Sequence, residues 1–251
     1  ERFRGSIIGF SGDAMTCWFD KDDGLRALAS AFEIQNAMNN FANIPVPQQE
    51  TVTLSVKVAV ASGTIRRFLV GDPSIRYLDV IAGATVDRLT AGEKHANKGE
   101  ILADEATVNS LGGRVKLGEW RGEDNERFAV VNWLDPNAVP KGRRTGKPVE
   151  LNDEQVRQWL IPAVYDRLRH GQEGFVSELR SAVPVFIKFS GIEYDGDGSA
   201  GAKLDAFVRW VQGVFARYEG TLLELTVGDK GSYLYGAFGA PTAHDDDALR
   251  A

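Results

Sequence analysis

Cysteine is nearly absent. Cys17 is the only one in 251 residues, which excludes an internal disulfide and suits a reducing cytoplasm. It lies in an apolar strand, so a buried structural thiol is expected there rather than a nucleophile. Histidine is scarce too: His95, His170 and His244 stand far apart, without zinc-ligand spacing. Long apolar runs are missing, since none approaches the ~18–20 residues that span a bilayer, and no signal-peptide pattern opens the chain. The expected location is cytoplasmic. Positive charge is not in excess: 29 Lys and Arg against 35 Asp and Glu give a net charge of −6. That argues against a general nucleic-acid binder, and the basic group Lys141, Arg143, Arg144 and Lys147 reads as a solvated linker. What is present is ordinary for a globular chain, 43% hydrophobic and 25% charged, enough for one large or two modest domains.

Against that background one pattern stands out. Ile7-Ile8-Gly9-Phe10-Ser11-Gly12-Asp13-Ala14-Met15-Thr16-Cys17-Trp18-Phe19 sets two apolar runs around a Gly-Asp pair, the pattern of a β-hairpin with a carboxylate at its tip. A second version follows at Leu225-Thr226-Val227-Gly228-Asp229-Lys230-Gly231-Ser232-Tyr233-Leu234, 216 residues further on (229 − 13). Each leads into a similar helix start, Asp22-Asp23-Gly24-Leu25-Arg26-Ala27 and Asp246-Asp247-Ala248-Leu249-Arg250-Ala251. An interval of that size points to a duplicated domain rather than a solenoid.

Between the hairpins, apolar spacing predicts a helix over 25–41, stopped by Pro45 and Pro47. Leu54, Val56, Val58 and Val60 alternate as a half-buried strand, followed by strands over 64–70 and 77–81. A helix over 84–96, a strand over 100–103, a short helix opened by Asp104-Glu105, and strands over 115–120 and 128–134 complete the first part. Residues 135–150 carry three prolines and several basic residues, the composition of a linker. Residues 153–169 have helical spacing with a kink expected at Pro162. Val183 to Phe189 reads as a nearly continuous apolar strand. Asp195-Gly196-Asp197-Gly198 matches half a calcium loop without its closing glutamate and reads as a polar turn. Leu204, Phe207, Val208, Val211, Phe215 and Tyr218 mark a long helix ended by Gly220. The resulting class is α+β, mainly antiparallel sheet with helices. Glu1 stands just ahead of a strand and Ala251 at a helix start, so the chain is expected to be a window of a longer product.

The residues carry a resemblance. Gly9-Phe10-Ser11-Gly12-Asp13-Ala14 resembles the metal-binding hairpin of class III adenylate and guanylate cyclases. Lys57-Val58-Ala59-Val60-Ala61-Ser62-Gly63, Tyr77-Leu78-Asp79-Val80-Ile81-Ala82-Gly83 and Glu100-Ile101-Leu102-Ala103 resemble the segments that follow it in that family. Phe175-Val176-Ser177-Glu178-Leu179-Arg180 through Gly231 is similar to the tandem, bicarbonate-responsive soluble adenylyl cyclases. The resemblance implies two incomplete units of the ferredoxin-like nucleotidyl cyclase fold. Residues 1–134 would be the C-terminal portion of a first unit, 135–180 a linker with a helix, and 181–251 the N-terminal portion of a second. Units of this family pair with each other, so self-association or pairing with the other unit is implied. The family reaction turns ATP or GTP into a 3′,5′-cyclic monophosphate and pyrophosphate, using two Mg²⁺ or Mn²⁺ ions held by two aspartates.

Carried onto this sequence, Asp13 matches the second metal-binding aspartate, catalytic and metal-ligating, beside Phe10, Ser11 and Gly12 in the nucleotide-binding hairpin; otherwise it is a plain turn aspartate. The first aspartate of that unit would precede Glu1. In the second unit Lys188 holds that aspartate's place, so metal binding is not expected there. Base selection falls at Leu225 with Glu224 adjacent, and Asp229 is structural or base-proximal. Neither the lysine of adenylyl cyclases nor the glutamate of guanylyl cyclases is met at Leu225; ATP is the expected substrate ahead of GTP. Gly9 stands where soluble cyclases often carry a bicarbonate-site lysine. Asp87 and Ala91 are the first unit's counterparts of the transition-state pair. Arg88 is either a regulatory-site arginine replacing the missing one or a surface helix arginine. The fragment is expected to be inactive alone. The rival expectation is a non-catalytic cyclase-homology module that binds nucleotide or a partner and regulates a fused effector.

Overall fold

The computed structural model describes residues 2–47, 49–123, 126–140, 149–171, 179–228 and 231–251, with backbone alone at 49 and 50. Asp229, the basic group at 141–147 and the 175–178 motif lie outside the described residues. In chain order the elements are β1 (Ser6–Ser11), β2 (Ala14–Trp18), α1 (Leu25–Met38), β3 (Ile44–Val46), β4 (Gln49–Val52), β5 (Val58–Val60), β6 (Arg66–Val70) and β7 (Leu78–Ala82). There follow α2 (Ala84–His95), β8 (Ile101–Asp104), α3 (Glu105–Leu111), β9 (Val115–Arg121) and β10 (Phe128–Leu134). The remainder is α4 (Asp153–Arg157), α5 (Pro162–Arg169), β11 (Val183–Phe189), α6 (Ala200–Arg217), β12 (Thr221–Gly228), β13 (Gly231–Phe238) and α7 (Asp247–Arg250). The class is mixed α+β, and among the described residues every strand pairing is antiparallel except that of β5 with β8.

The chain divides into two compact units, Glu1–Thr64 with Ala84–Lys147, and Ile65–Gly83 with Pro148–Ala251. This division by compactness does not follow the expected boundary at 134. Residues 65–83 leave the N-terminal part because the inward side chains of β6 and β7 (Phe68, Val70, Leu78, Val80, Ala82) share one core with α6, β12 and β13.

In the first unit the sheet runs β5-β8-β10-β9. Alternate residues serve opposite faces: Ile101, Ala103, Ala129 and Val131 pack with Leu25, Leu28 and Ala31 of α1. Leu102, Phe128 and Val130 pack with Ala91 of α2 on the other face. That double covering is why all four residues of β8 are buried. Val58 to Val60 pair with β8, whereas Leu54 and Val56 of the predicted strand lie outside it; a short β3–β4 hairpin precedes it instead.

In the second unit the sheet runs β11-β13-β12. The helix α6 presents Ala200, Leu204, Val208, Val211 and Phe215, spaced as one stripe, to the sheet's inner face. The Phe215 ring lies so close to β13 that a Cβ on Gly236 would stand 2.4 Å from it. Gln212, 2% exposed, stitches the β6–β7 turn to this helix, accepting from Asp72 N at 2.7 Å and donating to Arg76 O at 2.7 Å. The expected strand over Val183–Phe189 forms as β11, with Val183, Val185, Ile187 and Phe189 partly buried against the core and Phe186 69% exposed. One expectation changes here. Pro162 does not kink one helix but opens a second, at a position where its missing N–H costs nothing.

Candidate functional site

The first hairpin forms as the sequence requires. Strands β1 and β2 pair from Ser6↔Trp18 to Ser11↔Ala14, leaving Gly12 and Asp13 as a two-residue tip. Gly12 has φ 60, which suits the first central position of a type II′ turn and strains any residue with a Cβ. Asp13 is exposed and takes part in no hydrogen bond or ion pair among the described residues. Its carboxylate is free to meet a cation. Phe10 (66%), Ile7 and Met15 are exposed as well, because among the described residues β1 and β2 form a two-stranded sheet. Gly9 sits where the β1–β2 register shifts, and a Cβ there would meet open space.

This arrangement also overturns the expected burial of Cys17. The residue is exposed, opposite Ile7 across the hairpin. Its thiol is nonetheless partly shielded, and desolvation pushes its pKa up.

In the second hairpin the pairing of β12 with β13 runs to Gly228↔Gly231. A register shift between Leu222 and Glu224 lets both Leu222 and Leu225 face the core. Leu225, at 8% exposure, is therefore a core residue and offers no side-chain group to a ligand. Glu224 points to the other face, where Thr226 Oγ1 donates to its Oε1 at 3.0 Å. The outer face of this sheet is aromatic. Phe186, Tyr235 and Glu224 lie in one cross-strand row, and Lys188, Tyr233 and Thr226 in the next. The Phe186 and Tyr235 rings stack at 4.7 Å. Lys188 bends over Gly231, where a Cβ would stand 3.2 Å from its Cε. Periodicity alone would have exposed this face, had Pro184, Phe186 and Lys188 been read as alternating with their inward neighbours.

The helix residues resolve differently. Ala91 is buried in the core beneath α2, so it offers nothing to a ligand, whereas Asp87 is exposed. Arg88 is committed to structure. Its Nε donates to Asp104 Oδ2 at 2.9 Å, and its Nη2 to Ser62 O at 3.1 Å and Thr85 Oγ1 at 3.3 Å. Asp104, 1% exposed, also accepts from Thr107 N at 2.9 Å, Thr107 Oγ1 at 2.5 Å and Ser62 N at 3.3 Å. It caps α3 while neutralising Arg88. The sequence marked Asp104 only as a helix opener; its burial needed the three-dimensional pairing of 62, 88 and 107. Asp197 is likewise engaged ahead of α6: Lys203, then Ser199, bond its carboxylate and hold its pKa far below the usual range.

Asp13 thus lies exposed on a hairpin tip of the first unit, and Lys188 (exposed) and Glu224 (half-buried) on the outer sheet face of the second. A metal ion tests the donor set further. Among the described residues no group of three or more His, Cys, Asp or Glu could hold one. Asp13 supplies a single carboxylate, which is less than Mg²⁺ or Mn²⁺ needs for retention.

No family model matches the chain, and no curated protein matches it. Solved structures do resemble it. The guanylyl cyclase Cya2 is 21% identical with a TM-score of 0.44, over 56% of this chain and 76% of that one. The guanylyl cyclase domain of the RhoGC fusion protein from the aquatic fungus Blastocladiella emersonii is 18% identical with a TM-score of 0.44, over 53% and 72%. The guanylate cyclase domain of RhGC from Catenaria anguillulae, in complex with GTP, is 16% identical with a TM-score of 0.40, over 53% and 74%. All three are guanylyl cyclases. Their likeness to this chain says nothing of its substrate. No helix among the described residues is long and apolar enough to cross a membrane.

Proposed function

We propose that the chain carries parts of two nucleotidyl cyclase units. In a complete enzyme these would convert ATP, or less readily GTP, to a 3′,5′-cyclic monophosphate and pyrophosphate in cytoplasmic signalling. The observation that carries this reading is the free carboxylate of Asp13 on a two-residue hairpin tip, within a motif the chain repeats at Gly228. Asp13 would give one oxygen to Mg²⁺ or Mn²⁺, whose role in such enzymes is to activate the 3′-hydroxyl and neutralise the phosphates. A second carboxylate must come from outside this chain, so the fragment alone is inactive. Glu224, on the outer face of the second sheet, would accept hydrogen bonds from the base in place of the buried Leu225. The units would pair with each other or with another copy.

Two measurements test this. Incubated with ATP or GTP and Mn²⁺, the chain should yield no cyclic nucleotide by mass spectrometry; robust turnover would overturn the inactivity. Titrated Mn²⁺ should broaden the amide resonances of residues 11–15 first, and Asp13→Asn should remove that broadening. Broadening that survives Asp13→Asn would sink the metal role.

A second reading is a non-catalytic cyclase-homology module that binds nucleotide or a partner and regulates a fused effector. The buried Leu225 and the lysine at 188 favour it. Mn²⁺-independent nucleotide binding that Asp13→Asn leaves intact would select it.

A further inference from the structure

The first unit contains a cavity of about 720 Å³, none of whose lining residues belongs to the hairpins or the second sheet. Its walls come from the N-terminal segment, α1, the end of β10 and the loop after it, and include Phe3, Ala29, Phe32, Trp133 and Val139. The base is continuous with the core, because Phe32, Leu134 and Val139 pack against it. The volume falls inside the range of small-molecule sites, roughly 300–1,000 Å³. Aromatic walls with few polar groups also match such sites.

The polar side chains lining this cavity are Arg2 and Asn132. Arg2 lines it, with its guanidinium 5.4 Å above the Phe3 ring and its Nη1 donating to Glu33. Arg2 and Glu33 are both well exposed, so their pair is weak and exchanges with water. The other edge of the guanidinium makes no hydrogen bond among the described residues. A planar fork over an aromatic ring, beside an apolar hollow, suits a ligand with an apolar body and one anionic group.

We propose that this cavity is a binding site for small aromatic monoanions, a flat ring system inside against Phe32 and Trp133 with its carboxylate or sulfonate on Arg2. The site is independent of the cyclase reading, since it shares no residue with the hairpins or the second sheet.

The test uses two fluorescent probes on the full chain, anionic 1-anilinonaphthalene-8-sulfonate and neutral N-phenyl-1-naphthylamine. Both should bind saturably at one site. Val139→Trp, which fills the hollow from the loop side, should weaken both by about ten-fold. Arg2→Gln lies on the surface and leaves the fold intact. It should weaken the anionic probe about five-fold, the worth of one exposed charge contact, and the neutral probe less than two-fold. Leu249→Ser, at an exposed apolar residue of the second unit, should change neither. Unsaturable binding, equal effects of Arg2→Gln on the two probes, or loss of binding in Leu249→Ser but not in Val139→Trp would each overturn the assignment.

Discussion

Replacing Asp104 by alanine should cost the first unit about 4 kcal/mol. The capping bond to Thr107 N accounts for about 1 kcal/mol. The larger part comes from Arg88, whose guanidinium keeps two neutral acceptors but loses the one carboxylate partner it has among the described residues. Breaking a buried pair from one side costs about 3–5 kcal/mol; the Arg88 side chain is 29% exposed, which places the loss at the lower end. Asp104→Asn keeps the cap but cannot neutralise Arg88, so about 2 kcal/mol is expected. Arg88→Met leaves Asp104 with its other donors and should cost about 2 kcal/mol. The double variant Asp104→Asn/Arg88→Met should be less destabilised than the sum of its parts by more than ~1 kcal/mol, since each change removes the reason for the other. Urea unfolding followed by circular dichroism measures all four; the alanine variant should also melt roughly 10 °C lower. Additive losses, or an alanine variant within ~1 kcal/mol of the parent, would refute the structural role given to Arg88.

Gln212→Ala strands Asp72 N and Arg76 O near the second core, and a loss of about 2–4 kcal/mol is expected in urea; a change under ~1 kcal/mol would mean that water replaces the amide. The Arg121 bond, with help from Asn97 N, lowers the Glu100 pKa to about 2. That depression stabilises the fold above the ordinary carboxylate pKa and is lost as pH falls from 4.5 towards 2. Glu100→Gln should therefore flatten the melting temperature against pH in that window, and an unchanged slope would contradict the linkage. Cys17 should react with a disulfide reagent in the native state, one thiol per chain, more slowly than a free cysteine at neutral pH; a thiol that needs denaturant would show the hairpin face to be covered.

Much of this was legible in the sequence where local chemistry decides. The stripe from Leu204 to Phe215 became α6, and Gly12-Asp13 became a hairpin tip. Helix α3 opens at the capping residue Asp104. What stayed hidden depends on distant partners. Alternation marks Phe68, Val70, Leu78 and Val80 as inward-facing but cannot say which core they enter. A single register shift before Glu224 turns Leu225 inward and breaks the simple period of two. Arg88 could be read as functional or structural until Asp104, Ser62 and Thr107 were brought beside it.

The placement of β6 and β7 bears on how the chain can be divided. Each compact unit is assembled from two stretches, so the polypeptide passes from one unit to the other three times. One proteolytic nick after Leu134 cannot release two self-sufficient domains. The N-terminal piece would carry off a hairpin whose apolar side belongs with α6 and β12, and the C-terminal piece would keep a core with one wall missing. Nicked protein should stay together through that shared core. Expressed apart, the two pieces should gain structure on mixing, in the manner of complementing fragments.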